Sequence, residues 1–178
     1  MSNMDHLQSE LEVWGLMIPG FIGSIVRAAV QIPEGMWNWS FSERTPTARE
    51  ICEHALIWLW CDRQQITIID QNLHQRTPEL PPDRDSMVRK LQEEAEEWRG
   101  LIRSISAEQL LEERVAFDRM RNIRGFLFHI GQHLIYKEGQ IRMLYYEMGL
   151  DGPEPYAAPY PDEIYGFTDS PPWPVPRE

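Results

Sequence analysis

Residues 129–142 read HIGQHLIYKEGQIR and lie inside a long helical pattern. Apolar side chains recur at steps of three and four from about Arg119 to Met148, and Gly149 follows. This spacing predicts an amphipathic helix that ends at the glycine. His133 and Lys137 are polar residues on the core-facing stripe of this helix, so each needs a partner or a function there. The other members of the stripe are mainly apolar: Ile123, Phe126, Leu127, Ile130, Gln140, Ile141, Leu144 and Met148.

Two more helices are predicted at the start and in the middle of the chain. The first covers about residues 6–31, and Pro19 inside it predicts a kink. The other covers about residues 83–105, after a proline-rich break, and either Asp83 or Asp85 is suited to cap its first turn. Both segments place apolar side chains on one face, as expected for helices that pack into a bundle.

A further helix is predicted between these two, over about residues 47–75. Thr47 and Glu50 have the spacing of a capping box, which marks the helix start. Asp62 is the one charged residue on its apolar stripe, whose other members are Ile51, Ala55, Trp58, Ile66, Ile69 and Leu73. A charge at a buried helical position calls for a partner or a function.

These four segments predict an all-α fold. No segment alternates with period two for long enough to indicate a strand. Long connections join the first helix to the second and the third to the fourth, so we expect a four-helix bundle with crossover connections. The bundle is predicted to form one domain over residues 1–150, followed by a Pro- and aromatic-rich extension over residues 151–178 that packs partly on the bundle or on a partner.

The overall charge argues against some partners. The 178 residues carry a formal net charge of -11, and a surface this negative repels phosphate backbones and anionic lipid headgroups. We therefore expect neither a nucleic acid nor a membrane as partner. The apolar stretch of the first helix is interrupted by Pro19, Gly20, Gly23 and Arg27, which favours a packed helix over a signal peptide or a membrane span.

The two cysteines indicate a reducing compartment. Cys52 and Cys61 are nine residues apart in a segment predicted to be one helix, so their side chains are too far apart to form a disulfide. Two reduced thiols suit a cytoplasmic location. Neither thiol has a partner in the sequence that would stabilise a thiolate, so both are interpreted as structural.

His129 and His133 are four residues apart on the fourth helix. This spacing presents two imidazole nitrogens to a common point, and imidazole is the commonest nitrogen ligand of divalent transition metals. The spacing is compatible with a metal site, although two histidines in this arrangement also occur in helices that bind no metal.

The same segment resembles the last helix of the DinB/YfiT superfamily, in which a His-x3-His pair runs into Gly-Gln. The connector 37–41 (WNWSF) and the helix start 47–54 (TAREICEH) are similar to the entry of that family's second helix, which carries another metal-binding histidine. The resemblance covers roughly Leu11 to Leu150. It implies a four-helix bundle with a three-histidine metal site.

Placed on this chain, the three-histidine site implied by the resemblance falls on His54, His133 and position 137. The first two match, whereas the third position is Lys137. A charged ammonium is not a metal ligand and repels a divalent cation. One interpretation keeps the metal, Zn or Ni, and takes His54, His129 and His133 as its ligands.

In a second interpretation, the Lys137 ammonium replaces the metal as the positive charge of the site, held by an acid of the second helix: Asp62, Glu53 or Glu50. This interpretation predicts an ion pair or a hydrogen-bond network in place of the metal cation. In a third, Lys137 reaches solvent and the histidines are core residues. The predicted pocket is lined by His54, Asp62, His133 and Lys137.

Two functions therefore remain open. Without a metal, the chain is a DinB-like bundle of unknown specific activity that binds a small molecule or a protein, with a homodimer expected from its apolar tail. With a metal, the resemblance implies a divalent-metal-dependent hydrolase or a low-molecular-weight-thiol transferase. The identity of Lys137 favours the first function, and no catalytic residue is assigned.

Overall fold

The computed structural model describes residues 3–75, 77–116 and 119–150. The predicted extension over residues 151–178 lies outside these ranges. The described residues form four α-helices and two short strands: α1 (Asn3–Gln31), α2 (Ala48–Thr67), α3 (Arg84–Ser104), β1 (Glu113–Ala116), β2 (Arg119–Asn122) and α4 (Ile123–Glu147).

The starts of α2 and α3 confirm the predicted caps. The Thr47 hydroxyl accepts a hydrogen bond from the backbone N–H of Glu50, whose side chain bonds back to the Thr47 backbone. Asp83 and Ser86 form the equivalent pair at α3. Each pair satisfies helix N–H groups that would otherwise lack a partner, which fixes where the helix begins.

The helices form the predicted bundle with crossover connections. Both α1 and α2 pack against α3 and α4, so helices that follow each other in sequence, α1 and α2, lie on a diagonal. The contacts of Glu10 with Arg124 and of Gln31 with Tyr145 show that α1 and α4 run parallel. By contrast, α2 runs antiparallel to α4. The prediction of an all-α four-helix bundle is confirmed.

The helix α2 is shorter than predicted. It ends at Thr67, not near Gln75, because Ile68 adopts an extended backbone and the chain turns into a short 3-10 segment after it. Ile69 and Leu73, predicted on the buried stripe, are 77% and 67% exposed. The predicted stripe is therefore wrong beyond Ile66, where apolar residues continue the helical spacing without a helix.

A β-hairpin precedes α4, where the sequence predicted irregular structure and then a helix from about Arg119. Glu113 pairs with Asn122 and Ala116 with Arg119 in antiparallel register. The helix begins at Ile123, and the Asn122 side chain accepts a hydrogen bond from the Gly125 backbone N–H. Strands of four residues are too short to produce a visible alternation, so the hairpin was missed.

Helix α1 forms much of the core. By length and composition alone, Met4–Gln31 could cross a membrane, but 56% of its most apolar window is buried inside the bundle, as in a core helix of a soluble protein. Its Trp14 ring lies against Gly131 of α4, where an added Cβ would collide with it. The glycine thus permits a close approach of α1 and α4.

Candidate functional site

The antiparallel packing of α2 and α4 brings three histidines together around one tryptophan. The ring centroids of His54 and His133 are 5.7 Å apart, and those of His129 and His133 are 4.6 Å apart. The Trp58 ring stacks on His133 with a centroid distance of 4.7 Å and meets His129 edge-on at 5.0 Å. His54 is exposed and the other two imidazoles are half-buried, so the cluster opens to solvent at His54.

Trp58 holds the His54 ring as well. The indole Nε1–H donates a hydrogen bond to His54 Nε2 at 2.6 Å. This bond requires an unprotonated Nε2, so it stabilises the neutral form of His54. Burial and the nearby Lys137 charge also lower the pKa of His54.

Asp62 orients His129. The Asp62 carboxyl is 3% exposed, and its Oδ2 lies 2.6 Å from His129 Nδ1. Burial raises the pKa of Asp62, while the hydrogen bond and charge of His129, with the charge of Arg121, act in the opposite direction. Because the Asp62 carboxyl occupies Nδ1 of the His129 ring, the other ring nitrogen, Nε2, is available to another partner.

Lys137 lies inside the protein at 5% exposure, and its Nζ donates a hydrogen bond to Gln140 Oε1 at 2.8 Å. Burial lowers the pKa of Lys137. Burial also lowers the pKa of His133 to about 4, assisted by the charges of His129, His54 and Lys137. At neutral pH the neutral imidazoles of His54 and His133 therefore lie near the buried Lys137 cation.

The predicted ion pair of Lys137 with an acid of α2 is wrong. Asp62 is bonded to His129, Glu53 pairs with Arg49, and Glu50 caps α2 through Thr47. In the part of the chain that the structure describes, the hydrogen-bond partner of the ammonium is the Gln140 amide. The interpretation in which Lys137 reaches solvent is wrong as well, because the side chain is buried.

The residues present do not fit the three-histidine metal centre that the resemblance implies. Lys137 places an ammonium where the third imidazole is expected, and its charge acts on both His54 and His133. The Trp58 indole occupies His54 Nε2. Among the described residues, no group of three His, Cys, Asp or Glu side chains is arranged to hold a metal ion.

The sequence did not identify Trp58 and Gln140 as site residues. Both were assigned to the apolar stripes of their helices. Trp58 follows His54 by four residues, a spacing that puts both side chains on one helix face, so this contact could have been inferred. The Gln140 contact depends on the burial of Lys137, which spacing alone does not give.

The two cysteines are free thiols, Cys52 buried and Cys61 half-buried. Burial, with a smaller effect of the Glu53 charge, raises the pKa of Cys52 to about 12. Burial and the Asp62 charge raise the pKa of Cys61. Raised pKa values disfavour thiolates, which agrees with the structural role predicted for both.

Comparison with known proteins identifies the family. The model of the DinB family matches residues 23–165, and the chain belongs to this family. No curated protein matches the chain.

Several solved structures share the fold. A DinB-like protein of Bacillus subtilis, YjoA, has a TM-score of 0.64 at 20% identity, covering 78% of this chain and 94% of that one. YfiT from Bacillus subtilis, described as a probable metal-dependent hydrolase with an unusual four-helix bundle topology, also scores 0.64, at 14% identity, covering 85% and 91%. A DinB-like protein of Bacillus cereus scores 0.61 at 13% identity, covering 75% and 89%. At these identities the likeness establishes the fold alone.

Proposed function

We propose that this DinB-family chain binds a small anionic molecule in the cleft formed by His54, Trp58, His133 and Lys137, without a resident divalent metal. The observation that carries the proposal is the buried Lys137 ammonium. Its hydrogen-bond partner is a neutral amide, Gln140, so no described carboxylate balances its charge. A buried cation of this kind is stabilised when an anion binds beside it.

The histidines support the same function. A neutral imidazole adds no charge and offers both a hydrogen-bond donor and an acceptor to a ligand. The low pKa of His133 keeps its ring neutral at physiological pH. Trp58 supplies an apolar wall, and the exposed His54 ring provides the entrance from solvent. Small-molecule sites commonly combine apolar walls with a few convergent polar groups in this way.

Elemental analysis tests the metal-free part of the proposal. Protein purified without chelator is expected to contain no stoichiometric zinc or nickel, and a His133→Ala variant is expected to have the same metal content. Stoichiometric metal in the unmodified protein that is lost in His133→Ala would contradict the proposal.

Anion binding is tested with inorganic phosphate as the probe. Phosphate is expected to shift the NMR signals of the His54 and His133 rings, and a Lys137→Met variant is expected to lose this response. Equal shifts in both proteins would show that Lys137 is not the anion-binding group.

An alternative function is that of a divalent-metal-dependent hydrolase or low-molecular-weight-thiol transferase, with zinc or nickel held by His54, His129 and His133. The Asp62–His129 pair favours it, because metal-bound imidazoles usually donate their other N–H to a carboxylate or carbonyl. The description of YfiT points in the same direction for that protein. The metal analysis distinguishes the two functions.

We also propose that the chain acts as a homodimer in the cytoplasm. Three apolar side chains of α4, Phe128, Ile135 and Met143, are 50%, 50% and 56% exposed on one face of the helix, which suits a contact with a second copy. The two free cysteines suit a reducing compartment. Sedimentation equilibrium tests the dimer: Ile135→Glu is expected to produce a monomer, and a monomeric unmodified protein would contradict it.

A further inference from the structure

A small cavity lies beside the histidine cluster, between α2, α4 and the β-hairpin. Its volume is about 40 Å³, and it is lined by Trp58, Cys61, Asp62, Gln65, Ala116, Arg121, Phe126 and His129. Neither His54 nor Lys137 is among these residues. The cavity thus differs from the proposed anion-binding cleft in its lining, although Trp58 contributes to both.

Two residues of opposite charge line this cavity from different elements. Arg121 comes from β2, and its guanidinium lies 5.3 Å from the centre of the Phe126 ring, which holds the side chain in place. No hydrogen bond joins this guanidinium to another residue in the ranges that the structure describes. Asp62 comes from α2, and one of its carboxyl oxygens, Oδ2, is engaged by His129.

The charges of Arg121 and Asp62 act on each other without a direct ion pair. The positive charge of Arg121 is one of the influences that lower the pKa of Asp62. Among the described salt bridges, the partner of Asp62 is His129. A ligand that offers an anionic acceptor to Arg121 and a hydrogen-bond donor to Asp62 would satisfy the hydrogen-bonding capacity of both side chains.

We propose that this cavity binds the head of a short 2-hydroxycarboxylate. The ligand's carboxylate lies on the Arg121 guanidinium and the Gln65 amide, and its hydroxyl donates a hydrogen bond to the Asp62 carboxyl. Arginine is suited to this role because its planar N–H groups match the two oxygens of a carboxylate. A hydroxyl supplies the donor for Asp62 without placing a second cation beside Arg121 or requiring the desolvation of an ammonium.

The size of the cavity limits the ligand. A single water needs roughly 10–15 Å³ of such a volume, whereas pockets for drug-sized molecules measure about 300–1,000 Å³. A cavity of about 40 Å³ thus has room for a carboxylate and one adjoining carbon with its hydroxyl. Any longer part of the ligand has to extend out of the cavity.

An NMR titration of the full chain with sodium glycolate, at constant ionic strength, tests this site. Glycolate is expected to shift the backbone amide signals of Gln65, Ala116 and Arg121. Acetate, which lacks the hydroxyl, is expected to bind at least tenfold more weakly, as is glycolate to an Arg121→Gln variant; tenfold corresponds to about 1.4 kcal/mol. Failure of glycolate to shift these signals, or equal affinity in Arg121→Gln, would overturn the proposal.

Three further variants make the result specific. Arg99→Gln removes an arginine of α3 that pairs with Glu96, and it is expected to bind glycolate as the unmodified chain does. Arg121→Lys keeps the charge and is expected to retain part of the affinity, which separates a folding defect from the loss of the binding group. Lys137→Met is expected to bind glycolate normally, so this site stands or falls independently of the proposed cleft. Loss of glycolate binding in Lys137→Met or in Arg99→Gln would overturn the assignment to Arg121.

Discussion

The Trp58 indole stacks on the His133 ring, with centroids 4.7 Å apart and ring planes inclined by 26°, while its N–H donates to His54. One side chain therefore fixes an imidazole of α2 and one of α4. The orientation of both histidines depends on Trp58, which makes it a sensitive position for testing the electrostatics of the cleft.

Trp58→Phe keeps an aromatic ring but removes the donor to His54 Nε2. Because that hydrogen bond favours the neutral imidazole, we expect the pKa of His54 to rise in the variant. The titration of the His54 ring protons, followed by NMR, measures the change. Trp39→Phe serves as the control, since Trp39 packs on Phe41 in the connector before α2. An unchanged His54 titration in Trp58→Phe would show that the bond has no electrostatic effect.

The stability of the fold is expected to depend on His133 in acid. Its pKa is about 4 in the folded chain, whereas an unfolded imidazole titrates near pH 6.5. Between these values the unfolded chain binds more protons, so the free energy of unfolding falls as the pH drops from about 6.5 to about 4. Above about pH 6.5 the imidazole is neutral in both the folded and the unfolded chain, so the contribution of His133 to the free energy of unfolding no longer changes with pH.

Urea denaturation at closely spaced pH values measures this dependence. His133→Gln is expected to lose less stability across the window than the unmodified chain, because it has no imidazole to protonate. Parallel pH profiles for the two proteins would contradict the low pKa of His133.

Lys137 can be observed directly, because the chain contains two lysines, Lys90 and Lys137. In protein labelled with 13C-lysine, the side-chain carbons next to the amine report its titration. We expect the Lys137 signal to titrate below its ordinary value of 10.5, since burial disfavours the ammonium. A Lys90→Arg variant assigns the two signals. Titration of Lys137 at or above the ordinary value would mean that its ammonium is solvated or paired.

The close contact of α1 and α4 is tested at two glycines of α4. Gly131→Ala introduces a Cβ into the space of the buried Trp14 ring, and overpacking of this kind costs about 1–3 kcal/mol of unfolding free energy. Gly139 has no neighbour near the position of an added Cβ. Gly139→Ala is therefore expected to stabilise the fold by roughly 0.5–1 kcal/mol through helix propensity. Chemical denaturation measures the free energy of unfolding of both variants. A Gly131→Ala variant that is as stable as the unmodified chain, or more stable, would contradict the packing of Trp14 against Gly131.

Much of this fold could be predicted from the sequence because its signals are local. The capping pairs at Thr47 and Asp83 depend on residues three positions apart, and the helical periodicity extends over many turns. The predicted end of α2 was wrong because Ile69 and Leu73 continue the helical spacing beyond Thr67, where the chain is first extended and then forms a short 3-10 segment. The hairpin was missed because its two strands, of four residues each, are too short to show a period-two pattern.

The site was predictable in part for a similar reason. Spacing and family resemblance pointed to His54, His133 and Lys137, and the structure places these on the facing helices α2 and α4. The hydrogen-bond partner of Lys137 could not be predicted, because it depends on which acids pair with other side chains. In the structure Asp62 pairs with His129, and Glu53 pairs with Arg49. Likewise, the role of Trp58 depends on the relative position of α2 and α4.

Zinc titration by calorimetry, comparing the unmodified chain with Lys137→His, tests the central claim most directly. Lys90→His on α3 controls for the mere addition of an imidazole. If the Lys137 ammonium stands in place of a metal, the unmodified chain and Lys90→His bind zinc weakly, and Lys137→His binds one zinc at least tenfold more tightly, about 1.4 kcal/mol. Tight stoichiometric binding by the unmodified chain, or no gain in Lys137→His, would contradict the claim.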